Sequence, residues 1–97
     1  MRSRYSAYTR RDAAYLRRSW HPDTRPTRLD FDPVLEWFGL TVLRCEAGGP
    51  GDSMGLVEFR AEARVAGRPF TLHELSRFER AGGRWVYRDG DLLGAGA

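Results

Sequence analysis

The chain contains no lysine, a single cysteine, two histidines and no apolar run approaching the roughly 20 residues needed to cross a bilayer. Each shortage removes a class of function. Cys45 has no second cysteine to bridge, so no internal disulfide can form. With only His21 and His73 beside it, a Cys/His zinc site is implausible and no metal or cofactor is expected. The sixteen basic residues are all arginine, which reflects a preference for Arg codons more simply than selection for phosphate-gripping forks. Gly48-Gly49-Pro50-Gly51 is no phosphate cradle, since it lacks the Lys-Ser/Thr of a P-loop and precedes no helical pattern. No charged start followed by an apolar stretch suggests an export signal, and a cytoplasmic protein is expected.

What is present is an ordinary globular balance: 41% hydrophobic, 12% aromatic and 30% charged residues over 97 positions, enough for one core and too short for two. A single domain over residues 1–93 is expected, with a flexible Gly/Ala tail over 94–97. The net charge of +3 is unevenly spread. Residues 1–29 hold eight Arg against two Asp, a net of +6, while residues 30–97 hold eight Arg against eleven acids, a net of −3. Such asymmetry can mark a surface for nucleic acid or an acidic partner, through Arg2, Arg4, Arg10, Arg11, Arg17 and Arg18. Against this, Tyr5, Tyr8, Leu16 and Trp20 fall where helix periodicity wants core, which leaves the arginines as a solvated face.

Residues 1–20 read as two short helices. Arg10-Arg11-Asp12 interrupts the apolar pattern, and Asp12 is a good cap for a second helix carrying Leu16 and Trp20. His21-Pro22 stops that helix and Asp23–Leu29 reads as a loop. Asp32-Pro33 predicts a third helical turn bearing Val34, Leu35, Trp37 and Phe38, with Gly39 as its exit. From there the period changes to two. Strands are predicted over Leu40–Glu46, Val57–Val65, Phe70–Arg80 and Trp85–Arg88, joined by Gly-rich turns into a sequential antiparallel sheet. Val57, Phe59, Ala61, Ala63 and Val65 form the inward stripe of the second strand, and Glu58, Arg60, Glu62 and Arg64 a solvent-facing ladder paired across strands. Helices first and a meander afterwards give an α+β fold with helices on one sheet face.

Strand parity supplies the site candidate. Phe70, Leu72, Glu74, Ser76 and Phe78 share the more apolar face of the third strand, so Glu74 and Ser76 are polar groups in an apolar wall. Two readings follow. Either Glu74 is the buried partner of an Arg on the first helix, Arg4 by preference and Arg2 next, with Ser76 completing the hydrogen bonds, or it is an unpaired carboxylate able to act as a base, with Ser76, Tyr5 or Tyr87 orienting a small ligand. Tyr8, Trp20 and Trp37 complete the candidate lining. His73 points away from Glu74 and has no visible orienting partner. Cys45 reads as an inert strand thiol.

Met1–Tyr8, Tyr15-Leu16, Trp20-His21-Pro22, Trp37, Gly39-Leu40, Val57-Glu58-Phe59, His73–Phe78, Arg84–Tyr87 and Asp89-Gly90 together resemble the YchJ-like proteins, over nearly the whole chain. The resemblance implies that family's middle domain, of the nuclear-transport-factor-two-like superfamily, whose fold is a cone of helices on the concave face of a strongly curved sheet. Members commonly carry a Cys-rich zinc motif of the SEC-C type just before the Arg-Ser-Arg-Tyr segment. This chain starts at that segment, as a naturally short form or from an internal Met, so zinc binding does not transfer to it.

No nucleophile-base pair, metal cluster or cofactor loop is visible. The expected role is therefore a non-catalytic scaffold or binding domain for a small ligand or protein. The alternatives are a small cavity enzyme of proton-transfer, isomerase or dehydratase type with Glu74 as general base, and an Arg-mediated contact with RNA or the translation and secretion apparatus. A weak homodimer through the outer sheet face is also expected.

Overall fold

The computed structural model describes residues 1–96. It opens with two short helices, α1 (Arg2–Arg10) and α2 (Ala13–Arg18), followed by four strands: β1 (Leu35–Ala47), β2 (Met54–Val65), β3 (Arg68–Ala81) and β4 (Arg84–Gly96). The strands form one antiparallel sheet in sequential order. The helix break falls where the sequence places it. Arg11 takes a left-handed conformation at φ 54°, which turns the chain, and the Asp12 carboxylate then accepts a 3.1 Å hydrogen bond from the Tyr15 amide to start α2. Leu16 and Ala7 are fully buried and seat the two helices on the sheet.

The predicted third helix is not formed. Asp32 does cap a turn, its side chain accepting from the Val34 amide at 3.0 Å and its carbonyl from the Leu35 amide at 3.2 Å. The chain then goes straight into β1, five residues earlier than expected. Leu35 pairs with Val65, and Trp37 with Ala63. Bulky side chains set against small or β-branched partners across a strand outweigh a local cap that would favour helix. Trp20, expected on α2, lies just past it in a parallel bridge to Tyr87: the His21 amide donates to the Tyr87 carbonyl and the Tyr87 amide to the Ser19 carbonyl, both at 2.7 Å. This short segment covers the edge of β4 at Tyr87.

The inward stripe of β2 is as expected, with Phe59, Ala61 and Ala63 buried. Two interruptions bend β1 against β2 and two bend β4 against β3. They leave Phe38, Leu43, Arg88 and Leu93 without opposite partners, and Phe38, Leu43 and Leu93 are exposed. Extra residues on one strand increase its twist and coil the sheet, which produces the hollow on its helix-covered side. The last strand also runs well past Arg88. Beyond that point Arg77 on β3 holds Asp89 at 2.5 Å and Asp91 at 2.8 and 3.1 Å, tying the stretch to the neighbouring strand. Gly94, Ala95 and Gly96 lie opposite His73, Leu72 and Thr71, where a loose tail was expected, and Ala97 lies outside the described residues.

The β2–β3 hairpin turns through Ala66 at φ 51° and Gly67 at φ 81°, a pair of left-handed positions that favours Asn followed by Gly. Ala66→Asn should raise unfolding stability by roughly 0.5–1 kcal/mol, and Asp12→Ala should lower it by about 1 kcal/mol. Urea denaturation of both variants checks the two signs; stabilisation by Asp12→Ala would contradict the cap.

Candidate functional site

Between α1 and the concave face of the sheet lies a hollow of about 190 Å³. Its walls come from both layers. Met1, Arg4, Tyr5 and Tyr8 descend from the helical side, Trp37, Phe59, Ala61 and Leu72 rise from the first three strands, and Glu74 and Tyr87 stand at one end. Tyr5 and Tyr8 are three apart on α1 and so share a face. Six of the eight residues expected at the site therefore meet around one space. The other two stand behind the wall. Ser76 is fully buried beneath Glu74, and Trp20 backs Tyr87 with its ring edge-on at 5.0 Å between centroids.

Arg4 is 3% exposed. Its Nη1 donates to the Leu16 carbonyl at 3.1 Å and to the Ser19 hydroxyl at 2.6 Å, which ties α1 to the end of α2. The guanidinium carbon lies 4.7 Å from the centre of the Tyr87 ring and 4.9 Å from that of Trp20. Two aromatic faces thus supply the electrostatic attraction that a carboxylate would otherwise give. Burial pulls the Arg4 pKa below the ordinary guanidinium value, with the neighbouring tyrosines opposing.

The expected Arg4–Glu74 ion pair is therefore absent: among the described residues no carboxylate lies within salt-bridge reach of Arg4. Glu74 takes a different set of partners. Its Oε2 accepts from the Ser76 hydroxyl at 2.5 Å and, more weakly, from the Tyr87 hydroxyl at 3.5 Å. Space for the carboxylate comes from Gly90 on the adjoining strand, where an added Cβ would stand 2.6 Å from Oε2. Short-range parity placed Glu74 on the correct face. It could not place the arginine, because that depends on how α1 rotates over the sheet.

Burial also pushes the phenols of the hollow upward. Tyr87 lies well above the ordinary 10.0, first through desolvation and then through the Glu74 charge beside it, while Arg4 acts the other way. Tyr8 is raised by desolvation too, again opposed by Arg4.

Outside the hollow, the structure gives His73 a partner that sequence reasoning missed: Glu58, at 2.6 Å from its Nε2, one step diagonal across the β2–β3 pairing. Glu58 also meets Arg44 at 3.4 Å, so the ladder on the outer face is paired through neighbouring strands at this point. Arg64 lies over the Phe38 ring at 4.4 Å. His21 faces Glu79 at 3.7 Å, and Arg88 holds the same carboxylate at 2.8 Å. Of the arginines expected to contact nucleic acid, Arg2, Arg10, Arg11, Arg17 and Arg18 are exposed, whereas Arg4 is inside. Among the described residues no group of three or more His, Cys, Asp or Glu is placed to hold a metal ion, and no helix is long and apolar enough to cross a membrane.

Two helices laid across the hollow face of a curved four-stranded antiparallel sheet define a cone of the nuclear-transport-factor-two-like class. The family described as "YchJ, middle NTF2-like domain" matches residues 1–90, and the chain belongs to that family. It is 54% identical over 93 residues to a UPF0225 protein of Streptomyces avermitilis, covering 96% of this chain and 64% of that protein. It is 50% identical over 93 residues to a UPF0225 protein of Chromobacterium violaceum, covering 93% of this chain and 69% of that one. The solution structure of a SEC-C motif containing protein from Rhodopseudomonas palustris is similar at a TM-score of 0.80 and 33% identity, over 97% of this chain and 76% of that chain. The chain thus spans less than two thirds of the length of the Streptomyces avermitilis relative.

Two outcomes are expected from this geometry. In a double-mutant cycle, Arg4→Ala and Glu74→Ala should couple by less than about 1 kcal/mol, against the roughly 3–5 kcal/mol cost of breaking a buried pair; urea denaturation of the single and double variants measures it, and a larger coupling would restore the ion pair. Stability should also fall as pH rises from about 9 to 11. The sign follows from the tyrosines: in the unfolded chain they lose their protons near 10, while Tyr8 and Tyr87 keep theirs in the fold, so the native state binds more protons there. Tyr87→Phe should flatten that slope in denaturation curves taken across the interval.

Proposed function

We propose that this domain is a non-catalytic binding module, and that the hollow under α1 receives a small molecule. One observation carries the reading: a guanidinium and a carboxylate line the same 190 Å³ space without neutralising each other. Arg4 and Glu74 are polar groups placed in apolar surroundings, where each gains from a ligand that supplies what the protein does not. A cytoplasmic setting is part of this reading.

A second reading, proton transfer with Glu74 as general base, draws on the same missing ion pair, because a carboxylate not held by a guanidinium is free to take a proton. Binding is preferred. Glu74 already accepts hydrogen bonds from two hydroxyls on Oε2, which fix its carboxylate as an acceptor for a ligand donor.

Methyl and aromatic NMR spectra of the chain titrated with small neutral probes, phenol and isobutanol, test the proposal. Shifts are expected at Ala61, Leu72 and Trp37, and Ala61→Leu, which fills the floor of the hollow, should abolish those of Leu72 and Trp37 while leaving the rest of the spectrum folded. Absence of shifts in the unaltered chain would overturn the reading. Catalysed exchange of a carbon-bound proton in small ketones, lost in Glu74→Gln, would instead favour the base.

A further inference from the structure

We infer that the ligand class of the hollow is a small zwitterion, a free α-amino acid with a compact apolar side chain, held with its carboxylate towards Arg4 and its ammonium towards Glu74. This rests on the reading of the domain as a small-molecule binder and goes further by naming what is bound. Four features of the same space carry it.

The first is charge. A ligand bearing one charge answers only one of the two protein groups and leaves the other desolvated beside it. A zwitterion answers both, and it brings no net charge into a space where an unpaired ion is costly. The second is free hydrogen-bonding capacity. The short hydrogen bonds of Arg4 both leave from Nη1, and its other polar neighbour is the Tyr8 hydroxyl on the wall of the same hollow, which a ligand carboxylate would displace. Likewise both bonds to Glu74 end on Oε2, and Oε1 accepts none among the described residues. A carboxylate suits the planar fork of an arginine, and an ammonium suits a carboxylate oxygen.

The third feature is the aromatic wall. Tyr5, Tyr8, Trp37 and Tyr87 surround the space, and aromatic faces attract an alkylammonium as well as packing an aliphatic chain. The fourth is size. About 190 Å³ is slightly larger than a cavity of about 150 Å³ that accepts benzene. It admits the polar ends of an amino acid with a side chain of roughly three or four carbons, while a dinucleotide or a peptide is excluded.

Calorimetric titration of the chain with valine and leucine tests the inference, beside the half-molecules isovalerate and isoamylamine, the neutral isovaleramide, and phenol. The amino acids are expected to bind at least tenfold more tightly than either half-molecule or the amide. Glu74→Gln is expected to weaken the amino acids at least tenfold and to leave isovalerate within about twofold, a contrast that a general loss of structure would not produce. Half-molecules or the amide binding as well as the amino acids, or amino-acid binding indifferent to Glu74→Gln, would overturn the zwitterion. Phenol separates the two levels of the argument. If phenol binds and the amino acids do not, the ligand class is wrong and the hollow remains a binding site; if neither binds, both readings fall.

Discussion

The structure depends on the buried guanidinium of Arg4, which pairs with no carboxylate among the described residues. Arg4 joins three elements at once: it is carried by α1, hydrogen-bonded to the end of α2 through Leu16 and Ser19, and stacked against Trp20 and Tyr87, the residues through which the segment after α2 bridges to β4. A hydrophobic residue there would pack but would not fix direction. The fork does fix it, because its donors must find oxygens and its face must find rings. Together with the buried Ala7 and Leu16, that side chain sets the position of α1 over the sheet and so the volume left beneath it.

Much of the fold was legible in the residues, and for identifiable reasons. Asp12 announces a helix start by a local mechanism, and the alternation in β2 reports a half-buried strand directly, so both were read correctly. The limits of β1 and β4 were not legible because each is decided elsewhere. Trp37 becomes a strand residue through Ala63, twenty-six positions away, and β4 runs on past Arg88 where Arg77 holds Asp89 and Asp91. The four bulges have no sequence signal at all, since they are settled by pairing. At the site, parity along β3 placed Glu74 and Ser76 on the interior face, while the choice of Arg4 as the partner of Glu74 failed. The rings of Trp20 and Tyr87 compete for the guanidinium, and no periodicity reveals that competition.

The two faces of the sheet treat charge in opposite ways. On the outer side the charged groups are largely neutralised locally: Arg77 holds both Asp89 and Asp91, Glu58 stands between Arg44 and His73, and Arg88 shares Glu79 with His21. These pairs are partly exposed and each contributes little to stability. In the hollow, where an unmatched charge is far more costly, Arg4 and Glu74 are held apart by separate polar and aromatic partners. A protein selected only for stability would have no reason to favour that arrangement over an apolar filling of the same volume.

The resting place of Glu74 is specified as much by Gly90 as by its hydrogen bonds, since the carboxylate occupies the room a side chain on β4 would take. A position without a functional group thereby governs where the Glu74 carboxylate sits. Among related chains, a larger residue here would swing that acid off its hydroxyl partners while every polar residue of the hollow stayed in place. A glutamate at residue 74 therefore keeps this placement only together with a residue at 90 that leaves it room.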